Sequence, residues 1–80
     1  MAAIDIKFFM ELQEMCDDRG IKTKEVLRQC STRRQVNNTR TEKVKNIIRD
    51  MHTLFKVQMS AKDIAENLGL NEPILRIILR

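Results

Sequence analysis

Apolar residues recur every three or four positions along most of this chain. Ile4, Phe8, Leu12 and Met15 keep that spacing, Phe9 widens the stripe, and together they predict an amphipathic helix over 4–19. Gly20 follows where a left-handed residue closes a helix. Val26, Leu27 and Cys30 make one side of a short helix over 23–30, with Thr23 as its N-cap. The next stretch, "STRRQVNNTR", has no helical stripe and carries two adjacent Asn, so 31–40 reads as a loop. Val36 is its one large apolar residue and is expected to tether it to the core.

The longest stripe comes next. Val44, Ile47, Ile48, Met51, Leu54 and Phe55 predict a helix over 41–57, capped by Thr41 or by Thr39 with Glu42 in capping-box spacing. Ser60 and Asp63 repeat cap spacing ahead of a helix over 61–68, which Gly69 ends. Asn71 caps a last helix over 72–80, with Pro73 in its first turn, where a missing N–H costs little. The fold class is therefore all-α: a compact bundle of about five helices in a single domain, 1–80. It ends in a helix-turn-helix at about 60–80, with a basic loop at 31–40.

Composition supports the helices. There are two Gly, one Pro, no Trp and no Tyr, so aliphatic side chains build most of the core. The net charge is +4, but its distribution says more than its size. Acids dominate 5–18, whereas 28–49 carries Arg28, Arg33, Arg34, Arg40, Lys43, Lys45 and Arg49 against Glu42 alone. A basic face on a small helical domain points to a polyanion.

Two helices joined by a short Gly-containing turn occur in DNA readers and in plain helical corners. Here Ile64, Leu68, Leu70, Leu75 and Ile78 supply apolar residues wherever the helices must face each other and the core. Ala65 is small at the crossing, and Gly69 permits a positive φ. In such a unit the first turn of the second helix meets base edges in the major groove. That turn offers Asn71, Glu72, Pro73 and Ile74, followed by Arg76, Ile77 and Arg80. Asn71 suits adenine, Arg76 suits guanine or phosphate, and Glu72 only accepts, as from cytosine. Ile74 and Ile77 suit thymine methyls or, equally, packing against protein. The loop supplies Arg33, Arg34 and Arg40 for phosphates or a narrow minor groove, with Asn37 and Lys43 as further candidates.

The segments "IKTKEVLRQCSTRRQVNNTR" and "SAKDIAENLGLNEPILRIIL", separated by a long helix, resemble the C-terminal DNA-binding domain of the bacterial replication initiator DnaA, a Trp-repressor-like fold. Arg34, Val36 and Arg40 match that family's loop pattern of Arg, Val and Arg in spacing. The resemblance implies a loop-plus-helix DNA contact with Arg34 in the minor groove. It also implies a transcription or replication regulator of bacterial or phage type. The family reads the major groove with Asp-His-Thr-Thr, where this chain has Asn71, Glu72, Pro73 and Ile74, so its target sequence does not carry over.

Other chemistry has little footing. Cys16, Cys30 and His52 form no zinc spacing, and the two cysteines read as reduced thiols. There is no Gly-rich phosphate loop and no nucleophile–base pattern, so no enzyme and no cofactor are expected. With neither a signal peptide nor a membrane span, a cytoplasmic protein is expected. The partners expected are double-stranded DNA and, through two-fold pairing that doubles the contacts, a second copy. The alternative is a helical protein–protein interaction module, an inhibitor or adaptor, that presents an apolar last helix.

Overall fold

The computed structural model describes residues 6–31 and 42–79. Within them the chain forms α1 (Ile6–Arg19), α2 (Thr23–Cys30), α3 (Glu42–Phe55), α4 (Ala61–Leu68) and α5 (Glu72–Leu79). The five-helix all-α bundle read from the periodicity is the fold. No helix among the described residues is long and apolar enough to cross a membrane.

The two glycines end their helices in the same way. Gly20 and Gly69 have φ of 71° and 76°. At α1, Gly20 N–H donates to the Asp17 carbonyl (3.3 Å) and Ile21 N–H to that of Cys16 (3.0 Å). At α4, Gly69 N–H donates to Glu66 (3.1 Å) and Leu70 N–H to Ala65 (2.7 Å). This paired backbone closure satisfies carbonyls that a helix end otherwise leaves open. At the other end of α4, the Ser60 hydroxyl accepts from Asp63 N–H at 3.2 Å, as its cap spacing predicts.

Thr23 is not the cap of α2. It is the first helical residue, and Lys22 precedes it in extended geometry without a side-chain cap bond. The Thr23 hydroxyl instead lies by the Cys16 thiol of α1, where it lowers that thiol's pKa. The end of α3 also differs from expectation. The helix stops at Phe55 and unwinds through a turn in which Gln58 and Met59 N–H both donate to the Phe55 carbonyl. The proposed caps at Thr39 and Thr41, and the tether at Val36, lie outside the described residues.

α3 is the hub of the bundle, packing on α1, α4 and α5, while α2 packs on α1. Val44, Ile47, Ile48 and Met51 are fully buried along it, and Phe55 nearly so. Phe8 of α1 meets Phe55 with ring centroids 5.2 Å apart and a tilt of 57°. Leu12 and Cys16 continue the buried line of α1, whereas Met15, expected in that stripe, is only half-buried. Leu54 fails as a core residue: it is 50% exposed, because α3 turns its neighbour Phe55 inward. Cys16 and Cys30 are both free thiols, fully buried.

Candidate nucleic-acid interface

At the end of the described chain, α4 and α5 are joined by a short turn at Gly69. α5 is apolar on average, yet most of that character faces inward. Leu75 is fully buried, Ile78 nearly so, and Ile74 is 8% exposed. Ile74, named among the candidate base-reading residues, is mostly covered, which fits the alternative of packing within the protein. Leu79 packs on the core as well. The outward side of α5 carries exposed Pro73, Arg76 and Ile77, with Glu72 half-buried and Asn71 exposed just ahead of it. Leu75 N–H donates to the Asn71 carbonyl at 3.1 Å, so Asn71 begins the helical bonding of α5.

Lys62 and Glu66 of α4 line an open groove of about 550 Å³ together with Leu70, Asn71, Glu72 and Pro73. Neither Lys62 nor Glu66 stands out in sequence as a site residue. The usable signal is their polar i, i+4 placement on α4, away from buried Ile64, Ala65 and Leu68. Across this edge Glu72 pairs with Arg76, Oε2 to Nη2 at 3.5 Å. Lys62 and Arg76 therefore stand against Glu66 and Glu72, and the described edge is electrically balanced.

Other cations of the basic half turn out to be engaged within the fold. Arg28 is held by both carboxylate oxygens of Glu25 through its Nε, at 3.0 and 3.1 Å. These hydrogen bonds, and one from Gln29, hold the Glu25 carboxyl below its usual range. Lys45 and Arg49 both approach Glu42, at 3.9 and 3.8 Å. Outside that half, Arg19 of α1 pairs with Asp50 of α3. Lys43, a candidate contact, is exposed at the start of α3, away from the α4–α5 unit in sequence, and takes part in no ion pair among the described residues.

Arg33, Arg34, Asn37 and Arg40 lie outside the described residues, as does Arg80. The last described residue before that basic segment, however, sits at the turn between α4 and α5. A methyl group placed on Gly69 would meet Ser31 Cα at 3.9 Å and Cβ at 4.0 Å. The chain therefore leaves α2 directly beside the turn between α4 and α5. Nothing in the sequence between Ser31 and Gly69 announces this contact. Among the described residues, no three His, Cys, Asp or Glu side chains gather as metal ligands.

No family model matches the chain, and neither a curated protein nor a solved structure is detectably similar to it.

Proposed function

We propose that this protein binds double-stranded DNA through its helix-turn-helix and the basic 31–40 segment, as a transcription or replication regulator. The observation that carries the reading is the division of α5. Ile74, Leu75 and Ile78 face the core, which leaves Asn71, Glu72, Pro73 and Arg76 outward on the first turns. A recognition helix needs that arrangement to enter a major groove. The approach of Ser31 to Gly69 adds support, since it starts a segment bearing Arg33, Arg34 and Arg40 beside the turn between α4 and α5. The likeness to the DnaA C-terminal domain is part of this proposal, as is a cytoplasmic or nucleoid location. With a balanced edge, affinity must come mainly from the basic segment.

The test is binding to mixed-sequence duplex DNA across a salt titration. Wild-type affinity should fall steeply with salt, and Arg34→Ala should weaken binding and reduce the logarithmic salt slope by about 1. An unchanged slope in the variant would remove the segment from the interface.

One observation favours the alternative of a helical interaction module. Ile77, 41% exposed, lies beside Arg76 on the outward side of α5. If that reading holds, Ile77→Asp abolishes a protein complex on a sizing column while duplex DNA goes unbound by either protein. α5 otherwise keeps its large apolar residues inside, which leaves little surface for such a partner.

A further inference from the structure

Resting on the DNA reading, we infer that Glu72 and Arg76 act as one unit that selects a cytosine–guanine pair and suppresses binding to DNA lacking it. Both lie on the outward side of α5, one turn apart, with Arg76 Nη2 3.5 Å from Glu72 Oε2. An ionised carboxylate only accepts hydrogen bonds, and a guanidinium only donates. In the major groove cytosine presents a donor, its N4 amino group, and guanine presents two acceptors, O6 and N7. The Glu–Arg pair is the complement of that edge. Four residues of helix rise about 6 Å, but the two side-chain tips already meet at 3.5 Å, so both can address one base pair.

The same pair explains how the edge resists other DNA. Glu72 repels phosphate, and its charge beside Arg76 offsets the guanidinium's own attraction for phosphate. Glu66, on the same groove, adds a second carboxylate. The bond itself is long and exposed, so exchanging it for base contacts costs little.

The inference gives Glu72→Gln an unusual signature. Neutralising the side chain removes the repulsion and frees Arg76, so affinity for an arbitrary duplex should rise while sequence preference falls. The experiment selects bound fragments from a random duplex library. It then compares the affinities of equal-length guanine–cytosine-rich and adenine–thymine-rich duplexes for wild type, Glu72→Gln and Arg76→Lys. Both variants are surface changes, and circular dichroism checks that each remains helical. Wild type should prefer guanine–cytosine sites by roughly tenfold or more, as expected of a good bidentate contact. Glu72→Gln should lose that preference and bind the adenine–thymine duplex more tightly than wild type does. Arg76→Lys should keep the charge but lose most of the preference, chiefly by weaker binding to the guanine–cytosine duplex, because an ammonium has no bidentate fork. Wild-type DNA binding with a preference unchanged in both variants overturns this inference and leaves the DNA reading standing. Failure of wild type to bind any duplex overturns both.

Discussion

Arg49 Nε donates to the backbone carbonyl of Ile78 at 3.0 Å, across 29 residues of sequence. Ile78 belongs to the last turn of α5, whose carbonyls have no partner within the helix. A guanidinium there also meets the negative end of the helix dipole. Arg49 is positioned by Asn46, whose Oδ1 accepts from its Nη1 at 2.9 Å, and by Glu42. A charge that composition alone would count among the surface surplus thus pins the last helix, α5, to the hub of the bundle.

Replacing Arg49 should therefore weaken the fold. The hydrogen bond is charge-assisted, but its donor is about one-third exposed, so solvent screening reduces its contribution. Arg49→Ala is expected to cost about 1 kcal/mol. Urea unfolding should show a lower midpoint with an unchanged slope. Arg49→Lys should recover part of the loss, since a cation near the helix end remains.

Gly20 and Gly69 test whether space or backbone conformation rules the helix ends. A Cβ on Gly20 meets nothing within 4 Å, and one on Gly69 makes ordinary contact with Ser31. Both have positive φ, which L-residues adopt at a cost of roughly 1–2 kcal/mol. Alanine at either site should cost about the same, near 1 kcal/mol after the gain from a stiffer unfolded chain. A much larger loss at Gly69 alone would mean that Ser31 presses closer than its position indicates.

Leu75 and Ile77, two residues apart, should behave oppositely. Leu75 has no exposed surface, and Leu75→Ala should cost about 2–5 kcal/mol by lost burial and an unfilled cavity. That is a large share of the roughly 4–12 kcal/mol expected for a chain of this length. Ile77→Ala should lie within about 0.5 kcal/mol of wild type. Thermal or urea melts of the two variants decide whether α5 is seated in this rotation.

Burial pushes the Cys16 thiol above its ordinary range, Thr23 partly offsets this by hydrogen bonding, and Asp17 raises it further against Arg19. The unfolded chain then loses this proton at a lower pH than the folded chain. The stability involved is complete below the ordinary thiol pKa, about 8.5, and drains away as pH rises through the raised folded value. Cys16→Ala should flatten that alkaline decline when unfolding is followed against pH. Native protein should also leave both buried thiols unreacted with a thiol-specific reagent until denaturant is added.

By itself the sequence determined what depends on a few neighbouring residues. The limits of α2 and α4 coincide with those read from periodicity, and Ser60, Gly20 and Gly69 terminate helices as their chemistry requires. Those features rest on hydrogen bonds three to five residues long, so local spacing reveals them. Only the tertiary structure decided which side of each helix is covered. It buried Ile74 and left Ile77 out, chose Phe55 over Leu54, set Ser31 against Gly69 and turned Arg49 toward Ile78. A periodic stripe says which residues share a face. How wide a face is sealed, and which distant charge meets which carbonyl, depends on the helices packed against it.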